Sequence, residues 1–303
     1  MAGDAWVLKA GQFESELSIF SLIVFNNKLY GGSIYGGKLL EWNNSNSWVE
    51  KAALEGGLVY GMAIYNNKLY SALADGAGGG GLYEWNNIDT WIKKADCRID
   101  EWTPYEPYAL AVFNSKLYLT GSSGNLYEWN DVDTLVVKGG SVGFVNLLAV
   151  FNNKLYVGSN EGGLYEWNNI DTLIEKAADA VQALAIFNNK LYASSDDGKL
   201  LEWNGTNAWI QKASKLGDER IWSLAVYNNK LYGGTIELGK LYEWNGTNAW
   251  TIVAPQFGTE MYIYALAVFN NKLYGGTGNN AKLYEWNGTM GRTQGPLPMF
   301  KRV

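Results

Sequence analysis

Seven glutamates share one context in this 303-residue chain: Glu41, Glu84, Glu128, Glu166, Glu202, Glu243 and Glu285 each precede a Trp-Asn pair. A set of carboxylates does acid–base chemistry when one member is held protonated while another stays ionised. Seven equivalent positions offer seven equivalent environments, which give the pKa values no reason to separate. Lysines recur at one place later in six repeats, at Lys9, Lys51, Lys94, Lys138, Lys176 and Lys212. Cross-strand pairing with these lysines is therefore the expected role of the glutamates.

Other catalytic chemistries lack parts. The chain has no histidine, which excludes His-based triads and His metal sites. Cys97 is the single cysteine, so no intrachain disulfide forms and a thiol nucleophile has no imidazole beside it. Asp196-Asp197-Gly198 offers carboxylates to calcium, but no complete ligand set can be read there. The glycine run at Gly76–Gly81 leads into a strand rather than a helix, so it is not a phosphate loop. The expectation is a protein that is not an enzyme and carries no cofactor or metal.

A second set of residues suits binding. Aromatic side chains make up 15% of the sequence, with 14 Trp. At one equivalent position, just before an apolar strand, the repeats hold Phe20, Tyr60, Tyr108, Asn146, Gln182, Trp222 and Tyr264. The long segment at 95–108 adds Trp102 and Tyr105, and neighbouring loops add Phe144, Phe257 and Tyr262. Acidic residues lie among them: Asp100, Glu101, Glu106, Asp218, Glu219 and Glu260. Flat rings with hydrogen-bonding neighbours suit sugar faces and protein hot spots equally. The expected ligand contacts are Tyr60, Trp102, Tyr105, Tyr108, Trp222 and Tyr264; the competing role for such rings is to plug a channel.

The elements that position these residues are repeats. The word [FY]-N-[NS]-K-L-Y starts at Phe25, Tyr65, Phe113, Phe151, Phe187, Tyr227 and Phe269. An E-W-N word follows each, and six residues beyond its Trp comes a W-[IV]-x-K-A-like word, starting at Trp48, Trp91, Leu135, Leu173, Trp209 and Trp250. The seventh copy of this last word is found near the other end, at Trp6-Val7-Leu8-Lys9-Ala10. Each repeat reads as four short strands: SLAVY, then an Asn-Asn turn suited to positive φ, then KLYGGT, KLYEW and AWIQKA. No long window shows helical periodicity. The predicted fold is all-β, a seven-bladed β-propeller of four-stranded antiparallel blades, with the N-terminal strand completing the last blade and closing the ring. Residues 1–289 are expected to form this single domain, and 290–303 a C-terminal tail or connector.

Repeats within one chain can be compared with each other. Connections from first to second strand and from third to fourth keep their length, whereas the other two connections vary. In an up-and-down blade the variable pair emerges on one face, so one face is constant and the other tailored, and tailored loops on a rigid scaffold are where binding residues tend to lie. The sequons at Asn43, Asn204, Asn245 and Asn287 fall in the constant third-to-fourth turn, where turn chemistry accounts for them. The Trp residues flanking that turn are expected to close the outer edge of each blade, with repeated sugar pockets between blades as the competing role.

The stretch VFNNKLYGGT…KLYEWNGTNAW resembles kelch repeats in its order of apolar strand, turn, Leu-Tyr before Gly-Gly, and an aromatic and Trp around an Asn-rich turn. The Gly-Gly pair follows Leu-Tyr in three repeats, at Gly31-Gly32, Gly233-Gly234 and Gly275-Gly276. That resemblance implies a protein-interaction or ligand-binding scaffold. A net charge of −6, with no basic run, argues against nucleic acid as a partner. The sequence shows no signal peptide and nothing near the roughly 18 apolar residues of a membrane helix, so a soluble chain without membrane insertion is expected, its compartment and oligomeric state open. Three functions follow as expectations. The first is a non-enzymatic scaffold recognising a protein or surface-assembly partner through the variable loops. The others are a multivalent glycan-binding propeller with equivalent pockets, and a structural component of a virion or cell-surface assembly.

Overall fold

The repeat turns already dictate how the chain doubles back. Both central residues of every first-to-second turn have positive φ, from Asn26 (47°) and Asn27 (56°) to Asn270 (46°) and Asn271 (57°). These are the primed hairpin turns that match strand twist, and Asn tolerates them best among residues with a side chain. In the third-to-fourth turn, the side-chain oxygen of the leading Asn accepts three successive backbone N–H groups. Asn43 takes those of Ser45, Asn46 and Ser47 at 2.9–3.2 Å, and Asn204 takes those of Thr206, Asn207 and Ala208 at 2.8–3.2 Å. The sequon asparagines Asn43, Asn204 and Asn245 are thus occupied as turn formers.

A computed structural model describes residues 5–76, 79–98, 104–217, 219–256 and 258–288. Its 28 strands form seven antiparallel four-stranded units. Their inner strands are Ser18–Phe25, Leu58–Tyr65, Pro107–Phe113, Val145–Phe151, Val181–Phe187, Arg220–Tyr227 and Ile263–Phe269. Each inner strand contacts the next, and the seventh contacts the first, so the units close into a ring: a seven-bladed β-propeller. Blades one and two also share a pair at Ile34 and Leu58 that joins them into one eight-stranded sheet.

The ring is closed as the sequence predicts. Strand Trp6–Ala10 lies antiparallel to Leu283–Trp286 as the outer strand of blade seven, with Trp6 opposite Trp286 and Val7 opposite Glu285. Lys9 Nζ sits 3.1 Å from the Glu285 carboxylate.

Twelve of the 14 tryptophans build the body of the ring. Third-strand tryptophans stand on the preceding blade's second-strand tyrosine: Trp85 on Tyr30 at 5.4 Å, Trp129 on Tyr70 at 5.4 Å, Trp286 on Tyr232 at 5.0 Å. Fourth-strand tryptophans also reach back, for Trp48 donates to the Ala281 carbonyl of blade seven and Trp91 to the Gly37 carbonyl of blade one. These rings seal the seams between blades rather than closing blade edges, because a propeller's buried surface lies mainly between its sheets. The Gly-Gly pairs serve the same seams: a Cβ on Gly32 would lie 2.3 Å from Val59, and one on Gly276 2.7 Å from Ile19, each on the next inner strand.

The repeated glutamates complete this framework. Glu202 receives Lys190 at 2.8 Å and the Tyr192 hydroxyl at 2.8 Å, with Lys212 at 3.6 Å. Lys212 is the extra residue of a β-bulge between Leu200 and Leu201 of the facing strand, and the same bulge carries Lys51, Lys94, Lys138, Lys176 and Lys9 in their blades. The bulge re-aims the lysine toward the carboxylate. Blade six has Val253 there, and Glu243 is held by Lys230 and Tyr232.

Candidate functional site

A second bulge recurs in every blade, on the inner strand. The register slips between Ile19 and Ser21, and between the matching residues of the other six blades, which leaves one extra residue each time. Those seven residues are Phe20, Tyr60, Tyr108, Asn146, Gln182, Trp222 and Tyr264. The sequence placed them just ahead of the inner strand; the structure places them inside it, at the point where the bulge turns a side chain out of the pleat. All seven line a single cavity of about 380 Å³, together with Phe144, Leu147 and Asn160.

The cavity has two unlike sides. Aromatic rings run without a gap from blade six to the entrance of blade four: Trp222 to Tyr264 (6.3 Å), Tyr264 to Phe20 (4.8 Å), Phe20 to Tyr60 (5.3 Å), Tyr60 to Tyr108 (4.7 Å), Tyr108 to Phe144 (4.7 Å). Blades four and five close the circle with the amides of Asn146, Asn160 and Gln182. The side-chain carbonyl oxygens of these three amides are buried and accept no hydrogen bond among the described residues. Leaving a buried acceptor unpaired costs about 1–3 kcal/mol, which folded proteins seldom concentrate in one place without a use for it. The Gln182 amide nitrogen donates to Asp196 at 3.3 Å, so the carboxylate decides which way the amide points and turns its oxygen elsewhere.

The tyrosines here remain protonated. Burial, reinforced by the Glu106 charge, pushes the Tyr60 hydroxyl up to about 12. Tyr108 is raised further by burial and by donating to Glu106 at 2.6 Å, and burial also raises Tyr264. The rings therefore act as neutral platforms at neutral pH.

The variable loops meet on one face, as expected. Leu54 N–H donates to the Gly37 carbonyl, Val142 to Gly124 and Gly239 to Met261, each bond tying a second-to-third loop to an interblade connection. Buried glutamates anchor three of these loops: Glu16 beside Lys38 at 3.9 Å, Glu219 to Lys240, and Glu260 to Lys282 at 2.8 Å. Glu219 and Glu260, expected among the ligand-facing acids, are buried and drawn into this anchoring through Oε1.

Of the six expected contacts, Tyr60, Tyr108, Trp222 and Tyr264 come together in the cavity. Tyr105 does not. It is 2% exposed and stacked on Tyr127 at 4.8 Å and 11°, because its backbone N–H pairs with the Cys97 carbonyl and draws it into the core beside Cys97. Trp102 lies outside the described residues, with Asp100, Glu101, Asp218, Phe257 and 290–303. Asn160 and Leu147 were missed. Asn160 stands in the second-to-third loop of blade four, and attention to amides as well as rings and acids on the tailored loops would have found it. Burial pushes the Cys97 thiol up to about 12, so it is not a thiolate at neutral pH. No group of three Cys, Asp or Glu able to hold a metal occurs among the described residues.

No protein-family model matches the chain, and no curated protein does. Solved structures match it over nearly its whole length. The extracellular domain of BT4673 from B. thetaiotaomicron is similar at a TM-score of 0.72 and 16% identity, over 94% of this chain and 40% of that one. This chain thus spans less than half of that protein. A catalytically inactive variant of virginiamycin B lyase from Staphylococcus aureus, with quinupristin, is similar at a TM-score of 0.74 and 10% identity, over 92% of this chain and 98% of its own. YCF48 bound to the D1 peptide is similar at 0.69 and 13%, over 94% and 98%. At these identities the likeness shows the propeller fold alone.

Proposed function

We propose that this propeller is a non-catalytic binding scaffold that holds one segment of a partner protein, or of a surface assembly, in the mouth of its ring. The observation that carries this reading is the convergence of all seven inner bulges on one cavity, where repeat identity breaks down while the backbone device is kept. A neighbour of the same fold, YCF48, holds a peptide, which supports a peptide-binding use of such a ring. The kelch-like order of the repeats supports the same class. The inactive lyase neighbour gives less support to catalysis here, since it was inactivated by replacing a histidine and this chain has none. On this reading residues 1–289 act as one domain, and 290–303 as a connector.

The test is binding stoichiometry with captured partner segments. One site per chain, lost in Trp222→Ala and Tyr264→Ala, is expected. Several sites per chain, indifferent to both substitutions, would instead favour the multivalent glycan reading. That second reading has its own support in grooves between blades on the constant face. One, of about 720 Å³, is lined by Lys190, Glu202, Lys230, Glu243 and Trp244 among others. The next, of about 490 Å³, is lined by Tyr232, Glu243 and Trp286 among others.

A further inference from the structure

Resting on that reading, we infer that the mouth selects an arginine side chain of the bound segment. Three observations converge on a planar, donor-rich cation. The first is the kind of polar atom left over. Gln182 Oε1, Asn146 Oδ1 and Asn160 Oδ1 are all acceptors, all buried, and all without a partner among the described residues. Gln182 is only 6% exposed, and Asp196 holds its amide nitrogen, which commits its oxygen to accepting. A guanidinium brings five donors and no acceptor, whereas a sugar hydroxyl brings both and would leave acceptors of its own to satisfy.

The second observation is the opposite wall. The continuous rings from Trp222 through Tyr264, Phe20, Tyr60 and Tyr108 offer π faces and edges to a flat cation, and guanidinium stacks on such rings better than a compact ammonium does. The third is charge. No lysine or arginine lines the cavity. The guanidinium of Arg220, two residues before the lining Trp222, is committed to Glu237 at 2.9 Å and to Asp196 at 3.5 Å. Glu106 stands behind Tyr108, and the chain as a whole carries a charge of −6. An incoming cation meets rings and amide side chains with no repelling charge among the lining residues, and the three amide oxygens, covered in this structure, come within its reach when their side chains turn toward the mouth.

The experiment selects peptides from a random display library against the whole chain, and then exchanges the arginine of any enriched peptide for citrulline or lysine. Arginine enriched at one position is expected, with citrulline, its neutral near-isostere, binding at least tenfold more weakly and lysine intermediate. Gln182→Leu and Asn160→Leu should lose the arginine preference with an unchanged melting temperature, which separates recognition from folding. Peptides that need Trp222 but carry no arginine would overturn the inference and leave the scaffold reading standing. Binding that tolerates lysine equally and vanishes in moderate salt would also overturn it, as general attraction to an acidic protein. A library yielding no peptide sensitive to Trp222→Ala would overturn both.

Discussion

Each blade contains two bulges, and they are used in opposite ways. On the outer pair of strands the bulge carries lysine in six blades, and the lysine always finds the glutamate of the neighbouring strand, at distances from 3.1 to 3.7 Å. On the inner strand the same device carries Phe, Tyr, Asn, Gln or Trp, and three of the polar atoms there or beside it pair with nothing described. One backbone irregularity is thus repeated for stability at the rim and diversified at the axis. At the rim bulge the residue's identity recurs and its charge is paired; at the axis bulge identity drifts and the amide oxygens are left unpaired among the described residues.

The largest effect should come from opening the ring. Deleting residues 1–11 removes the outer strand of blade seven with Trp6 and Lys9, and bares the edge Leu283–Trp286. The truncated chain should aggregate and melt well below the parent; a monodisperse profile with an unchanged melting temperature would refute the latch. Next comes a pair of tryptophans of opposite kind. Trp129→Ala empties a buried seam against Tyr65 and Tyr70 and should cost about 3–5 kcal/mol in denaturant unfolding. Trp222→Ala, half-buried at the mouth, should cost about 1 kcal/mol while removing binding. Equal costs would erase the distinction drawn between the two regions.

Acid should reach the two regions unequally as well. Burial pushes the carboxyls of Glu84, Glu202 and Glu285 up, but hydrogen bonds and charge from their lysines, joined by Tyr70 and Tyr192 in the first two, outweigh it and hold them below 4.5. A depressed folded-state value contributes stability above the unfolded value of 4.5, and that contribution is lost as pH falls through the folded value. Chemical denaturation between neutral pH and pH 3 should therefore show falling stability, with a smaller fall in Glu202→Gln. The smallest effect is expected for Gln182→Leu. Replacing an amide with an unpaired buried oxygen by an apolar side chain should leave stability within about 0.5 kcal/mol of the parent, or raise it. A loss above about 2 kcal/mol would mean that the amide serves the fold.

Most of the framework was legible because it is repeated. The Asn-Asn turns, the seven units, the Glu–Lys pairing and the displaced last strand each recur often enough to be separated from chance. The seven mouth positions were legible for the opposite reason, as an equivalent position beside the inner strand where otherwise similar repeats disagree in rings and amides. What could not be read was register. A bulge depends on which residue faces which across two strands, and no single-strand pattern around Phe20 or Gln182 encodes it. Tyr105 was misplaced for a related reason: its loop has no counterpart in other blades, so nothing in the repeat foretells that the Cys97 carbonyl draws it inward. The third-strand tryptophans were assigned to blade edges because their partners belong to another repeat, about 55 residues away in the chain, as Tyr30 is from the Trp85 it supports.

The closing strand has a consequence for synthesis. Trp6–Ala10 is made about 270 residues before its partner Leu283–Trp286. At typical translation rates of about 5–20 residues per second, the first strand waits roughly a quarter of a minute to a minute before its place exists. Six blades can form from neighbouring sequence as they emerge, while the seventh must recruit a strand made before the first blade. During that interval Trp6 has no seam to enter, and the growing protein carries an unpaired strand that a chaperone, or a neighbouring ribosome's product, is free to meet first.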